Sequence, residues 1–345
     1  MRCNPPRHNL SKTKGDMRSP YQGRYIRLLL TLATGALCGN KVASADSLPH
    51  VNFGTDWVAE AEHGGYYEAE ALALYAQHGL TVSIRPGGPQ INSAQLLMNG
   101  KLEFAIISSG MQVLNIAKEN VPIVAVAAFY QKSPLVLMVH EHSGIHSISD
   151  IRGHAVMASS YARYSYWPWL ERQFGFTDEM LRPYTFNLEP FLVDPDAVQQ
   201  AYLTSEPFTV RQSGEEPRLF LLADYGFADY AAVLVVRRDF LEKEARLVER
   251  FVAATRSGWR AFLHGDPTPA FEDIEKRNPQ MTRAAMEFAR NSLIKEGIIE
   301  SGDAVAHGIG AMSAAQWTRI AALASDPPLP RQLVIRSYDL QFANR

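Results

Sequence analysis

The sequence predicts an α/β protein with two lobes, each built on a mostly parallel sheet with flanking helices, and a hinge between the lobes. First, short apolar runs alternate with helical segments, which is typical of parallel sheets covered by helices. Second, the apolar run 231–236 is predicted to be a strand that returns to the first lobe once the second is complete. Third, the 345 residues, 46% of them hydrophobic, suffice for two domains of moderate size.

The first lobe is predicted as a regular alternation of elements. Strands are expected at 51–53, 80–84, 104–107 and 123–130, and helices at 65–78, 92–99 and 111–118. Gly79 and Gly100 follow two of these helices, as glycines that end helices do, and residues 108–110 cap the third. From 238 to 324 the chain is predicted to be helical, with breaks at 265–267, 278–279 and 308–310, and 337–345 is expected to be a loose tail.

The second lobe is expected to be inserted into the first. Strands are predicted at 135–139, 155–158 and 219–222, and helices at 149–152, from Ser159 onward and at 197–202. These elements predict lobe one at 46–132 and 234–345, and lobe two at 133–233. Because two or three connections join the lobes, we expect a cleft that opens and closes about the hinge.

The first 45 residues have the features of a secretory signal peptide. A basic stretch precedes the apolar run 26–37, and Ala43-Ser44-Ala45 is a small-x-small cleavage signal. The run is too short to cross a membrane. Leu37 directly before Cys38 fits a lipoprotein signal poorly, so we expect export to the periplasm without a lipid anchor. A disordered cytosolic leader is the alternative, and Met17 is an alternative start.

Removal of this leader changes the charge of the chain. The leader holds 8 of the 34 Lys and Arg residues and 1 of the 36 Asp and Glu residues, which leaves 26 bases, 35 acids and a net charge near −9. A chain this acidic, with no basic stripe, is a poor nucleic-acid binder. Both cysteines, Cys3 and Cys38, lie in the leader, so we expect no disulfide, thiol nucleophile or Cys-bound metal.

Polar and aromatic side chains follow four predicted strands or strand-like segments, at 56–57, 108–109, 159–161 and 205–206. Ligands of open α/β sheets bind outside the carboxyl ends of strands, so these side chains are expected to converge on one cleft. The collection suits a small, flat, polar molecule. The candidate ligand-binding residues are Asp56, Trp57, His63, Tyr66, Ser108, Ser109, Ser159, Ser160, Tyr161 and Glu206.

Each candidate also has a structural interpretation. The four serines are typical helix caps, and Trp57 fills a core as readily as it stacks on a flat ring. Asp56 and Glu206 suit a ligand amino group but also a helix cap or an exposed charge, and His63 suits the start of a helix. The aromatic group formed by Tyr161, Tyr164, Tyr166, Trp167 and Trp169 is more typical of core than of a cleft wall.

The sequence contains no catalytic motif that we can identify. It has no Gly-x-Ser-x-Gly elbow, no phosphate-binding loop ending in Lys and no His-Glu-x-x-His. His140-Glu141-His142 could chelate a metal ion, but two histidines at positions i and i+2 of a loop are usually solvated. We therefore expect a protein that binds a molecule without transforming it, and that needs no metal or cofactor.

From Asp56 onward the chain resembles periplasmic solute-binding proteins of ABC importers, of the nitrate/sulfonate/taurine and thiamine-pyrimidine-precursor type. The matching segments are 56–57 with 63–64, 79–80, 100–106, 143–145 with 150–153, 199–207, and 308–312 with Trp317. The chain departs from the family pattern at Ala73 and Ala201, where family members often have Gly. The first departure is expected to alter only a turn, and the second to tighten closure near the hinge.

The resemblance implies a periplasmic binding protein fold, a monomer and a membrane permease with its ATPase as partners. It also implies that the pyrimidine-precursor branch holds a flat heterocycle by stacking and acidic hydrogen bonds, which points to Asp56, Trp57, His63, Tyr66, Ser108, Ser159 and Glu206. Sulfonate- or nitrate-type anions are a second ligand class that the resemblance allows. It is also compatible with a sensor domain, and with an enzyme of thiamine-pyrimidine synthesis that uses a histidine and pyridoxal phosphate.

Overall fold

The computed structural model describes residues 48–344, so the predicted signal peptide, residues 1–45, lies outside the described residues. Ten strands occur in this part of the chain. They are β1 His50–Gly54, β2 Thr81–Arg85, β3 Phe104–Ser109, β4 Ile123–Tyr130, β5 Leu135–His140, β6 Val156–Ala158, β7 Leu181–Pro183, β8 Val198–Tyr202, β9 Pro217–Leu221 and β10 Ala231–Arg237.

The strands form two five-stranded sheets, with the orders β2-β1-β3-β10-β4 and β7-β6-β8-β5-β9. In the first sheet β10 is antiparallel to both of its neighbours, and the other four strands run in one direction. In the second sheet β5 is the strand that runs against the other four. The predicted α/β class with mostly parallel sheets and flanking helices is therefore confirmed, and the predicted strand 231–236 pairs into the first sheet as β10.

Helices flank both sheets. They are α1 Gly64–Ala71, α2 Leu74–Gln77, α3 Ser93–Met98, α4 Gly110–Lys118, α5 Trp167–Phe174, α6 Glu189–Val193, α7 Glu206–Gln212, α8 Arg238–His264, α9 Thr268–Arg277, α10 Arg283–Lys295, α11 Ala304–His307, α12 Ala314–Ala324 and α13 Arg331–Arg336. Short 3-10 helices occur at Ala61–His63, Ile148–Ile151, Ser160–Tyr164, Asp178–Met180 and Leu222–Tyr225. None of the helices in residues 48–344 combines the length and the apolar character that a membrane crossing requires.

Three predicted helical segments are wrong. The segment 197–202 contains no helix, because Val198–Tyr202 form the central strand β8, which pairs with β6 on one side and β5 on the other. The helix expected at 65–78 is broken into α1 and α2, because Ala73 adopts a left-handed conformation with φ 53°. The helix expected from Ser159 is a 3-10 helix followed by α5, and Pro168 occupies the first turn of α5.

Two further predictions about exposure are wrong. The C-terminal segment is not a loose tail, because Ser337, Phe342 and Ala343 are buried and Tyr338 forms a bridge to Ala125 in β4. His140 is not solvated. It ends β5, it is buried, and its ring stacks on Phe191 with the centroids 4.2 Å apart.

A close contact between α1 and α8 fixes the start of α1. A Cβ atom at Gly65 would lie 2.1 Å from Cδ2 of Trp259, and one at Gly258 would lie 2.2 Å from the carbonyl oxygen of Gly65. Both positions therefore require glycine for the helices to approach this closely. The glycines of the predicted turn thus serve packing against α8, and this packing holds the preceding 3-10 helix, with Glu62 and His63, at the edge of the first sheet.

Candidate ligand-binding site

A cavity of about 490 Å³ lies between the two sheets. Its wall includes residues at or just beyond the ends of β1, β3, β4 and β10 in the first sheet and of β5, β6 and β8 in the second. This is the edge at which the parallel strands of each sheet present their carboxyl ends, as expected for ligand sites of open α/β sheets. A volume of this size accommodates a small organic molecule.

Asp56 is held at the cavity wall by two side chains. Its Oδ1 lies 2.9 Å from Nε2 of His63, and its Oδ2 accepts a hydrogen bond of 2.6 Å from the hydroxyl of Ser108. Burial raises the pKa of Asp56, but the hydrogen bond and charge of His63 and the hydrogen bond of Ser108 outweigh it, so the pKa is lowered overall. Asp56 is therefore an ionised carboxylate that already has a partner for each oxygen.

The hydroxyls of Ser109 and Tyr161 connect the two sides of the cavity. Ser109 ends β3 in the first sheet, and Tyr161 follows β6 of the second sheet, with the two oxygens 2.7 Å apart. Ser109 also caps α4, because its Oγ accepts the amide of Gln112 at 3.1 Å. Ser109 thus combines a structural role with a position in the cavity wall, the two possibilities that its place in the sequence allows.

A buried amide organises the wall on the side of the second sheet. Oε1 of Gln200, in β8, accepts hydrogen bonds from the amide and the hydroxyl of Ser159 and from the hydroxyl of Tyr166, at 3.0, 3.1 and 2.8 Å. Three donors around one oxygen fix the rotamer of Gln200. This part of the wall is therefore preorganised.

Aromatic rings from both sides meet at the cavity. Trp57 and Phe186 have ring centroids 4.9 Å apart at an interplanar angle of 49°, and Tyr184 lies 5.2 Å from Phe186. Phe186 has a φ of 62°, which is unfavourable for a bulky residue. Aromatic faces of this kind stack on flat rings and attract cations.

Glu206 begins α7 and is already hydrogen-bonded. Its Oε2 accepts the amide of Tyr202 at 2.8 Å, and its Oε1 accepts the hydroxyl of Tyr184 at 3.0 Å. Burial is the main cause of a raised pKa at Glu206. The structural interpretation of Glu206 therefore holds in part, because its carboxylate fixes the turn between β8 and α7 as well as lining the cavity.

Glu60 and Glu62 add two more carboxyl groups. Burial raises the pKa of Glu60 well above its usual range, and the charges of Glu62, Glu206 and Asp56 raise it further. Burial likewise raises the pKa of Glu62. The side chain of Glu60 does not cap the 3-10 helix that follows it. These acids repel one another, and a positively charged or hydrogen-donating group among them would relieve that repulsion.

Asp229 lies just before β10 and is buried, with 1% of its surface exposed. Its Oδ1 accepts the amide of Met111, in α4, at 3.1 Å. Its Oδ2 is buried and has no hydrogen-bond partner within residues 48–344. Burial raises the pKa of Asp229 to about 7, although the hydrogen bond from the amide of Met111 acts in the opposite direction.

The ionisable groups of the wall are strongly biased towards acids. Among the described residues that line the cavity there are five acidic residues, one histidine and several tyrosines, and neither Lys nor Arg. The acidic residues are Asp56, Glu60, Glu62, Glu206 and Asp229. Such a wall favours cations and hydrogen-bond donors over anions. No group of three or more His, Cys, Asp or Glu side chains in residues 48–344 is arranged to hold a metal ion.

Eight of the ten candidate residues line this cavity, and their role in binding stays a prediction. They are Asp56, Trp57, His63, Ser108, Ser109, Ser159, Tyr161 and Glu206. Tyr66 lies instead in the core, where its ring contacts Phe53 at 4.7 Å and Trp259 at 5.7 Å. Ser160 is exposed and lines a neighbouring groove.

Of the predicted aromatic group, Tyr161 and Tyr166 line the cavity, whereas Trp167 and Trp169 are buried without lining it and Tyr164 is exposed. The sequence analysis missed Glu60, Glu62, Gln200, Phe186 and Asp229. The direction of β10 explains why Asp229 belongs to this site. Because β10 is antiparallel to β3, with Ala231 opposite Ser109, the amino end of β10 lies beside the carboxyl ends of its neighbours. Asp229, which lies just before β10, is therefore placed at the cavity.

Comparisons with known proteins are consistent with this architecture. A Candida albicans protein described as having the generic periplasmic binding protein structural fold is 14% identical, over 85% of this chain and 97% of its own, with a TM-score of 0.51. Two sulfonate-binding proteins named SsuA are also similar. The protein from Methylobacillus flagellatus KT is 11% identical over 86% of this chain and 93% of its own, with a TM-score of 0.59.

The alkanesulfonate-binding SsuA of Xanthomonas axonopodis pv. citri, solved with bound MOPS, is 13% identical over 84% of this chain and 98% of its own, with a TM-score of 0.58. These likenesses establish the periplasmic binding protein fold. A search of curated proteins finds no match. The family model described as NMT1/THI5 like matches residues 60–270, which is more than half of the sequence, and the chain therefore belongs to the NMT1/THI5-like family.

Proposed function

We propose that this protein is the solute-binding component of an ABC import system and that it captures a small, flat, nitrogen-containing heteroaromatic solute. The observation that carries the proposal is the composition of the cavity wall, in which aromatic rings and five acidic side chains occur without Lys or Arg. Stacking holds a planar ring, and carboxylates accept hydrogen bonds from ring or exocyclic nitrogens. A pyrimidine-like ring with amino groups has both features.

The same wall disfavours a sulfonate or nitrate ligand. Two structural neighbours are named as sulfonate-binding proteins, and their fold supports solute binding by this chain. The acidic residues of this cavity would repel an anion, however, and neither Lys nor Arg is available among its described lining residues to offset that repulsion.

We propose that binding closes two lobes, 46–132 with 234–345 and 133–233, over the solute. The contact between Ser109 and Tyr161 and the ring contact between Trp57 and Phe186 would both form on closure. A solute held by both sides would shift the protein towards the closed state, because only that state provides all of its contacts. The protein would act in the periplasm as a monomer, exported by its leader, and deliver the solute to a permease with its ATPase.

Binding is favoured over catalysis by the residues of the cavity. A pyridoxal phosphate enzyme uses a lysine to form a Schiff base with the cofactor, and no lysine is among the described residues that line the cavity. His63, the histidine of the cavity wall, is not a free imidazole, because its Nε2 lies 2.9 Å from Oδ1 of Asp56.

A thermal unfolding screen tests the proposal directly. The purified protein is heated with aminopyrimidines, other amino-substituted heterocycles, aromatic acids and alkanesulfonates. A bound solute at a hundredfold excess over its Kd stabilises the folded state by about 2.7 kcal/mol, so a hit gives a clear rise in melting temperature. We expect hits among the amino-substituted heterocycles.

Variants locate the bound solute. Trp57→Ala and Glu60→Gln are each expected to weaken binding of the hit by roughly 1–3 kcal/mol in calorimetry, whereas Tyr164→Ala, which removes an exposed ring outside the cavity, leaves it unchanged. Unaltered affinity in both cavity variants would refute the assignment of this site. A screen in which only sulfonates bind would refute the proposed solute class.

A further inference from the structure

We infer that Asp229 excludes anionic solutes from the cavity by occupying the N terminus of α4, and that its unpaired oxygen accepts a hydrogen bond from the bound solute. The inference rests on the proposed function and specifies the charge of the solute. It concerns a residue that sequence analysis missed. It follows from the hydrogen bonds that the backbone amides in the first turn of α4 already make.

The N terminus of a helix is a natural site for an anion, because its first amide groups have no partner inside the helix and the helix dipole is positive there. α4 has nine residues and follows directly on Ser109, which lines the cavity. An anionic group in the cavity could reach these amides only if they were available.

All three amides of the first turn are already used. The amide of Gly110 donates to the carbonyl of Tyr230 at 2.9 Å, and the amide of Gln112 donates to Oγ of Ser109 at 3.1 Å. The amide between them, that of Met111, donates to Oδ1 of Asp229 at 3.1 Å. The side chain of Asp229 thus takes the place that a carboxylate or sulfonate of a solute would occupy.

The fit around Asp229 is tight. A Cβ atom at Gly110 would lie 2.9 Å from Oδ1 of Asp229, so the carboxylate approaches the helix as closely as a glycine permits. Its position next to β10 is fixed by the pairing of Ala231 with Ser109. The position of the Asp229 carboxylate in the cavity wall is therefore fixed by the fold.

The second oxygen of Asp229 has a different environment. Oδ2 is buried and has no hydrogen-bond partner within residues 48–344, on a residue with only 1% of its surface exposed that lines the cavity. A buried carboxylate oxygen without a donor is unfavourable. A solute that brings an N–H group to this oxygen removes that cost, and a solute that brings a negative charge increases it.

Substitution of Asp229 should therefore change which charge the cavity accepts. In Asp229→Ser the amide of Met111 loses its carboxylate, and in Asp229→Asn an amide donor can replace the unpaired oxygen. We expect both variants to bind ethanesulfonate at least about tenfold more tightly than the natural protein at pH 8 and low ionic strength, measured by calorimetry. Asp229→Asn retains an oxygen for Met111 and is the variant more certain to fold.

Glu60→Gln is the matched comparison, because it removes one acidic side chain from the same cavity without touching α4. The loss of that acid alone is expected to raise the affinity for ethanesulfonate by no more than about threefold. If Glu60→Gln gains as much as the Asp229 variants, the loss of charge alone explains the gain and the inference is overturned. It is also overturned if neither Asp229 variant gains affinity for ethanesulfonate.

These outcomes separate the inference from the proposed function. If the natural protein binds amino-substituted heterocycles but the Asp229 variants gain no ethanesulfonate affinity, the inference fails while the proposed function stands. If no heterocycle binds the natural protein but the Asp229 variants gain ethanesulfonate affinity, the proposed solute class fails while the role of Asp229 stands.

Discussion

Replacement of Asp229 by Asn is expected to weaken the dependence of protein stability on pH. Asp229 is almost fully buried, and burial raises its pKa from the usual 3.8 to about 7. Below pH 3.8 the carboxyl group is protonated in both the folded and the unfolded protein. Between pH 3.8 and 7 the unfolded chain releases this proton and the folded protein keeps it, so the free energy of unfolding falls as the pH rises.

The magnitude follows from the two pKa values. Each unit of separation corresponds to about 1.4 kcal/mol. When the partial ionisation of both states is included, the free energy of unfolding falls by about 2 kcal/mol between pH 5 and pH 7 through Asp229 alone. Glu68 and Glu70, whose pKa values burial also raises to about 7, contribute equally to the natural protein and the variant and cancel in the comparison.

Urea unfolding at pH 5, 6 and 7 measures this difference. We expect the natural protein to lose about 2 kcal/mol more stability over this range than Asp229→Asn does. Asp224→Asn removes an exposed acid five residues away and should follow the natural protein. If the free energies of unfolding of the natural protein and of Asp229→Asn change in parallel with pH, the argument is refuted. Burial would then not disfavour the ionised form of Asp229.

Three further changes test the packing around the site. Ala73→Gly should raise the free energy of unfolding by about 0.5–1 kcal/mol, because the left-handed conformation of Ala73 suits glycine; an unchanged urea midpoint would contradict this. Gly258→Ala should lower that free energy by roughly 1–3 kcal/mol, since a Cβ atom there would meet the carbonyl oxygen of Gly65 at 2.2 Å; Ser257→Ala, an exchange on the same helix, serves as its control. Tyr166→Phe should cost about 1 kcal/mol in thermal unfolding through the lost hydrogen bond to Gln200, and a larger loss would point to ring packing instead.

The sequence predicted the fold well where apolar runs are long. β4, predicted at 123–130, has those bounds in the structure, because a run of eight apolar or aromatic residues is typical of a strand that is buried on both faces. The predicted breaks at 265–267, 278–279 and 308–310 also fall between helices, because glycine and proline mark them, whereas the break between α10 and α11 and the helix α13 were not predicted. Local patterns are reliable when local preference and tertiary environment point to the same structure.

β8 illustrates why the remainder could not be predicted. Its residues Gln199, Gln200 and Ala201 favour a helix in isolation, yet both glutamines are buried in a central strand. Pairing with β5 and β6 decides the conformation there, and the sequence around 197–202 carries no sign of either partner. The polar side chains that made the helix prediction wrong have a role in the site, because Oε1 of Gln200 accepts hydrogen bonds from Ser159 and Tyr166.

The candidate site was predicted by the rule that carboxyl ends of strands meet, and this rule also explains its errors. It located Asp56, Ser109 and Ser159 at the cavity wall. It says nothing about side chains within the following helix, so Tyr66, one turn further on, lies in the core. It also ignores the amino end of an antiparallel strand, which is where Asp229 lies.

Departures from ordinary local structure concentrate around this cavity, which supports a functional role independently of any family resemblance. Four non-glycine residues in 48–344 have positive φ, and two of them, Phe186 and Ala232, line the cavity. Such conformations cost on the order of 1–3 kcal/mol each, and the buried acids of the wall add a further cost. Natural proteins tolerate such costs mainly where a site requires them. Since a donor-bearing solute would offset the cost of the acids and an anion would increase it, the energetics of the cavity wall already favour the solute class proposed for it.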